Sequence, residues 1–293
     1  SDLDKGIDAM DKYLKNGGDD LSLNANDMLN AKSIKGWIKF ANSLRLRLAM
    51  RISNVDKTNA EIQAKKALAN PYGVLEAANE IIQVSGHGYT NPLIAIGGWG
   101  EAYMGATMAS VLNGYEDPRR EKWYNKATLK GYENEWLGIP QGVFMQEGDP
   151  NYYGGYSALN TAGGETTPAI LMTAAEVWFL RAEAALRGWI PEDEEECYLN
   201  GIKASLHQHG IYQMDDYLNS ERTAADFIDT QDSENNIPAR CRVSPKWNPA
   251  DDKEIKLEKI ITQKWIALFP EGCEAWAEQR RTGYPRLFPV RFN

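Results

Sequence analysis

The chain has 293 residues, 43% hydrophobic and 25% charged, with 32 basic and 41 acidic side chains and a formal net charge of −9. That composition describes a folded globule, long enough for one large helical domain or two small ones. The acidic balance excludes duplex nucleic acid, which needs a basic face, and no run reaches the ~18 apolar residues of a membrane span.

Ser1-Asp2-Leu3-Asp4 has no basic start, apolar run or cleavage site, so it is not a targeting segment. A missing initiator Met and a stop at Val290-Arg291-Phe292-Asn293, without capping or tail signal, read as a fragment. The first strong periodicity covers Ile34 to Ile52, with Ile34, Trp37, Ile38, Ala41, Leu44, Leu48 and Ile52 on one helical face. Arg45, Arg47 and Arg51 lie in this apolar helix, where arginine heads snorkel or pair with nearby acids. A second helix, Asn59 to Ala69, stops before Pro71 and completes a hairpin.

Residues 85–167 differ. They are rich in Gly, Pro, Asn and aromatics, as in Gly97-Gly98-Trp99-Gly100, Asp117-Pro118-Arg119 and Gly154-Gly155-Tyr156. Only Glu101 to Leu112 reads as helix, with short strands expected near Ile81–Val84 and Lys126–Gly131. Loops this long are functional or disordered, and the aromatic content argues against disorder. Periodicity resumes from Pro168 through Arg187, ended by Gly188, with a return helix from Asp193 to His209. Ala174, Ala182 and Ala185 would let the partner helix approach closely, as in a tetratricopeptide hairpin. Asp252 to Leu268 and Glu271 to Arg281 form a last pair. The fold class is therefore mainly α: one domain over 1–293, with tetratricopeptide-type hairpins as a scaffold (1–84 and 168–293) and an irregular ligand-presenting region (85–167).

Three segments carry a family resemblance. Lys35-Gly36-Trp37-Ile38-Lys39-Phe40-Ala41-Asn42-Ser43-Leu44-Arg45-Leu46-Arg47-Leu48-Ala49-Met50-Arg51 is the first, and Leu171 to Ala185, with Ala175-Glu176 and Ala182-Glu183-Ala184-Ala185, is the second. The third is Gln263-Lys264-Trp265-Ile266-Ala267-Leu268, then Glu274-Ala275-Trp276 and Arg280-Arg281-Thr282-Gly283-Tyr284-Pro285; Asp117-Pro118-Arg119 adds a turn. Together they resemble the SusD/RagB family of outer-membrane nutrient-binding lipoproteins, in its SusD-like branch. The resemblance implies a protein of a Bacteroidetes-type bacterium on the extracellular face of the outer membrane, lipid-anchored through an N-terminal cysteine missing here. It implies further that the chain captures an oligosaccharide, or in some members peptide or another nutrient, and passes it to a SusC-like TonB-dependent transporter.

Sugar capture needs aromatic faces for the pyranose C–H face and side chains for its hydroxyls. The candidate ligand-binding residues are Tyr152, Tyr153, Tyr156, Trp136 and Trp99, with Asn151 for hydroxyls. A Trp or Tyr packs into a core more often than it forms a platform. The tyrosines, set among Gly and Asn on an expected exposed loop, are the least explained by packing. Trp37, Trp178, Trp265 and Trp276 fall on helical apolar faces and read as scaffold.

Catalytic signals are weak. No GxSxG, HExxH or phosphate loop occurs, and no pair among 41 acids stands out as a glycosidase dyad. Glu192 to Glu196 reads as a solvated first helical turn. His207 and His209, two apart, make a poor metal pair. Glu147-Gly148-Asp149 could hold a structural calcium, though the spacing of a known calcium loop is absent. No cofactor is expected. Cys197, Cys241 and Cys273 show no metal spacing and leave one disulfide open. The competing reading is a helical-repeat scaffold for a protein partner, which would bury the aromatics of the middle region instead of exposing them.

Overall fold

A computed structural model describes residues 1–86, 88–143 and 153–290. In chain order the described elements are α1 (Asp2–Lys15), α2 (Ile34–Arg51), α3 (Lys57–Leu68), β1 (Ile81–Val84), α4 (Pro92–Gly98), α5 (Ala106–Tyr115) and α6 (Arg120–Trp123). Then follow β2 (Ala169–Thr173), α7 (Ala174–Leu186), α8 (Glu194–Gln208), α9 (Asp215–Leu218), α10 (Lys253–Ala267) and α11 (Gly272–Thr282). The fold is mainly helical, as expected. The chain divides into two compact units: 1–89, 168–210 and 249–284 make the first, and 90–167, 211–248 and 285–293 the second.

The first unit holds the hairpins. Ser33, Asp56, Thr173, Asp193 and Asp252 cap the starts of α2, α3, α7, α8 and α10, each side chain accepting from a backbone N–H of the first turn. Alanines 60, 64 and 67 of α3 pack with Leu46 and Met50 of α2 and with Val177, Leu180 and Ala184 of α7 in one core. Close approach of α7 and α8 depends on Gly201, where an added Cβ would lie 2.7 Å from the Phe179 ring.

Two expectations need correction here. The helix expected from Pro168 begins only at Ala174, because Ala169–Thr173 pairs antiparallel with Ile81–Val84. Thr173 then turns the strand into the helix by accepting from the Glu176 N–H (3.2 Å). Trp276 of α11 is 66% exposed and so is not buried scaffold. Conversely α1, unmarked in the sequence reading, opens with a capping box between Ser1 and Asp4.

The arginines of α2 are structural. Arg47 forks onto Glu176 (2.7 and 2.6 Å), and Arg45 reaches Asp4 (2.7 Å) and Gln63 (2.9 Å). Deeper, Arg281 bridges Glu183 of α7 (2.7 and 2.6 Å) and Glu278 (3.1 and 2.7 Å), while Lys264 pairs with Glu278 at 3.1 Å. Burial opposes charge on Glu278, but Lys264 and Arg281 hold its pKa at about 2.

The second unit is irregular, and it takes in 211–248 and 285–290, which the sequence had assigned to the scaffold. These stretches lack helical periodicity and are held by single bonds: Tyr115 donates to the Val243 carbonyl (2.7 Å) and Ser110 to the Ala225 carbonyl. Gly114 permits the contact with 223–225, since a Cβ there would meet the Thr223 carbonyl oxygen at 2.3 Å.

Candidate functional site

Bond by bond, the second unit is laced from four non-helical segments. Met104 N–H donates to the Ser157 carbonyl (2.8 Å), Leu159 N–H to Ala102 (2.9 Å), Ile139 N–H to Met104 (2.8 Å) and Asn125 N–H to Ala158 (2.9 Å). This ladder explains two differences from expectation. The helix expected from Glu101 starts at Ala106, because 102–105 is used in the ladder, and no strand forms over Lys126–Gly131.

Trp99 leaves α4 just ahead of the ladder. Its helix is pinned to the 159–161 segment at Gly97, where a Cβ would clash with Thr161 Cγ2 at 2.7 Å. The indole is 69% exposed. Among the described candidates it is the one that stands exposed to solvent.

Tyr153 and Tyr156 do the opposite. Expected on an exposed loop, they are 4% and 3% exposed. Their rings meet edge to face at 5.1 Å, and both hydroxyls donate to Asp229, at 2.9 and 3.2 Å. Asn235 Nδ2 and the Gln231 N–H complete the carboxylate's shell at 2.8 and 3.0 Å. Burial and the bond to Asp229 push the Tyr153 hydroxyl pKa upward. These tyrosines anchor the irregular region to 229–235; they are not platforms. Asn151 and Tyr152 lie outside the described residues, as does the calcium candidate Glu147-Gly148-Asp149. Among the described residues no group of three or more His, Cys, Asp or Glu could hold a metal ion.

Trp136 is half-buried and already engaged. The Arg120 guanidinium sits 3.9 Å from its ring centroid and Lys126 Nζ 4.9 Å. Asn113 fixes this arrangement by donating to the Trp136 carbonyl (2.8 Å) and accepting from Arg120 (3.1 Å). A pocket of about 170 Å³ opens here, lined by Asn113, Glu135, Trp136, Leu137, Phe227 and Ile228. It has room for a substituent on a sugar ring, with an apolar wall and polar rim.

A wider concavity, about 810 Å³, is lined by Tyr115, Glu116, Gln213, Asp216, Tyr217 and Asn219. Its floor is rigid. The Tyr217 hydroxyl donates to Asp117 (2.7 Å) and accepts from Arg119 (3.0 Å), and both charged groups are fully buried. Its rim carries the amides of Gln213 and Asn219 and the carboxylates of Glu116 and Asp216, while Tyr115 and Tyr217 beneath them are buried. Tyr212, 73% exposed, neighbours Gln213 in the chain. The sequence reading placed 211–248 with the scaffold; the loss of helical periodicity after Gly210 was the signal that this stretch belongs to the irregular unit. No disulfide joins Cys197, Cys241 and Cys273.

Among curated proteins none matches the chain. Solved structures do. A SusD homologue from Bacteroides vulgatus is 54% identical over 100% of this chain and 59% of its own, with a TM-score of 0.96. A chitin-binding SusD homologue from Flavobacterium johnsoniae is 39% identical over 99% of this chain and 60% of its own, with a TM-score of 0.93. A SusD-like protein from Bacteroides thetaiotaomicron is 34% identical, with 99% and 60% coverage and a TM-score of 0.90. The chain thus spans about three-fifths of the length of these relatives. The SusD-like family model, described as SusD and RagB outer membrane lipoprotein, matches residues 1–293. The chain belongs to the SusD/RagB family of outer membrane lipoproteins.

Proposed function

We propose that this protein captures a nutrient glycan at the cell surface without cleaving it and hands it to a SusC-like TonB-dependent transporter. The observation that carries the reading is the likeness, over 99% of the chain, to a homologue that binds chitin. Trp99 supports it by presenting an exposed indole on a pinned helix, and the Gln213–Asp216–Asn219 concavity supplies groups that could bind hydroxyls. A stacked ring with a few hydrogen bonds holds a sugar without any group placed to break its bonds. The lipid anchor on the extracellular face belongs to the same proposal. Exposed Trp276, with Leu48 also exposed (49%) on the first unit, supports a surface for the transporter.

The test is calorimetric titration of the full-length protein with chito-oligosaccharides and other neutral glycans, with each glycan's chain length checked after incubation. Saturable binding with intact glycan is expected. Shortened glycan would refute non-catalytic capture. Absence of binding to every glycan would turn the reading toward peptide or another nutrient.

A further inference from the structure

The second unit carries a concavity unlike those described above. It encloses about 500 Å³ and is lined by Arg240, Arg242 and Arg286, with Ile237, Pro238 and Pro289 among its walls. Among the described residues its lining holds no carboxylate side chain, in a chain of net charge −9.

Backbone geometry places the three arginines around one concavity. Residues 240–243 run without helix, with burial alternating along them: Arg240 and Arg242 are exposed, Cys241 and Val243 buried. In an extended chain, side chains two apart point to the same face. Cys241 faces inward, its Sγ 3.4 Å from the Tyr115 hydroxyl, and Tyr115 also donates to the Val243 carbonyl at 2.7 Å. Locking those two residues inward sets Arg240 and Arg242 outward together.

Arg286 comes from a second stretch that is fixed independently. Phe288 N–H donates to Thr107 (3.0 Å), and the Phe288 ring packs on Phe227 at 6.0 Å between centroids. The stretches are tied to each other, since Arg240 Nη1 donates to the Leu287 carbonyl at 3.0 Å. Ala239, on the wall between Pro238 and Arg240, is held by its N–H donating to Asp226 at 2.8 Å. Proline at 238 and 289 stiffens both walls.

We infer that this concavity is a binding site for an oxyanion-bearing saccharide, a uronate or a sulfated sugar. Guanidinium forks match the planar carboxylate and the tetrahedral sulfate, with bonds roughly twice as strong as neutral ones. A concave surface of one sign concentrates the field that draws such a ligand in. The site extends the glycan-capture reading from neutral sugars to acidic ones, and rests on that reading only for the saccharide part of the ligand.

Four probes test it on the full-length protein: inorganic sulfate, an oligogalacturonate, a sulfated disaccharide and a neutral chito-oligosaccharide. Titrations are followed by calorimetry and by NMR of the arginine side chains. The expected result is saturable binding of at least one acidic saccharide, weakening as salt is raised. Arg242→Gln should weaken it about tenfold, Arg242→Lys should restore it in part, and neutral-glycan binding should not change. Arg240→Gln, which also loses the Leu287 bond, is read only with its melting temperature alongside. Binding of sulfate alone would show an anion hole that is not saccharide-specific and would overturn the ligand class. Acidic-saccharide binding equal in wild type and Arg242→Gln would overturn the site. Loss of neutral binding with acidic binding intact would refute the neutral-glycan proposal and leave this site standing.

Discussion

Tyr153 donates its hydroxyl to the carboxylate of Asp229 at 2.9 Å, joining two segments 76 residues apart inside the irregular unit. Tyr156 and Asn235 converge on the same carboxylate. Removing the acceptor strands the buried Tyr153 hydroxyl and Asn235 amide, whereas the Tyr156 hydroxyl keeps Thr230 Oγ1. Asp229→Ala should therefore destabilise the protein by about 2–4 kcal/mol, and Tyr153→Phe by about 1 kcal/mol. Urea unfolding followed by tyrosine fluorescence checks this. Equal effects of the two variants would mean that Asp229 is not the hub.

Glu278 gives a pH dependence whose sign is fixed. Its folded pKa of about 2 lies below the ordinary glutamate value of about 4.3. Its charged form therefore stabilises the fold fully above the ordinary value, and that contribution drains away as pH falls toward 2. Unfolding midpoints measured from pH 7 down to pH 3 should fall less steeply in Glu278→Gln than in wild type. Parallel profiles would rule this linkage out.

Arg119 and Asp117 are both fully buried and bonded side chain to side chain (Nε to Oδ1, 2.9 Å). Arg119→Met leaves an uncompensated buried carboxylate and should cost about 3–5 kcal/mol. Arg119→Lys should recover only part, because an ammonium cannot reproduce the guanidinium fork. Chemical denaturation of the two variants distinguishes them, and full recovery by lysine would contradict the account.

Two helix glycines should respond with opposite signs to alanine. Gly6 in α1 has nothing within 4 Å of an added Cβ, so Gly6→Ala should stabilise by about 0.5–1 kcal/mol. At Gly201 the same methyl would press on the Phe179 ring at 2.7 Å, so Gly201→Ala should destabilise by about 1–3 kcal/mol. Thermal melts of both variants settle the comparison.

The hairpins were legible because their cores repeat at three- and four-residue steps and their caps are local. Ile34–Arg51 and Glu194–Gln208 fell within a residue or so of expectation. Strand β2 was not, since Ile170-Leu171-Met172 is apolar enough for either state and only pairing with β1 decides between them. The candidate site residues divided. Trp99 stands exposed, although a tryptophan packs into a core more often than not. Tyr153 and Tyr156 had the same glycine-rich context, yet their fate depends on Asp229, a partner that sequence proximity does not mark. Trp276 sits among scaffold residues by periodicity and still faces solvent, because a helix face becomes core only where another element covers it.

On the proposed function, a nutrient glycan stacks on Trp99, which stands exposed on the irregular unit. The most direct test is calorimetric titration of a chito-oligosaccharide into wild type, Trp99→Ala and Tyr156→Phe. An aromatic contact is worth about 0.5–1.5 kcal/mol beyond the apolar area it buries, and that area adds to it. Trp99→Ala should accordingly weaken binding about tenfold or more while its melting temperature holds, and Tyr156→Phe should lower stability but bind as wild type does when folded. Unchanged affinity in Trp99→Ala, with binding lost in folded Tyr156→Phe, would contradict the account and return the site to the buried tyrosine pair.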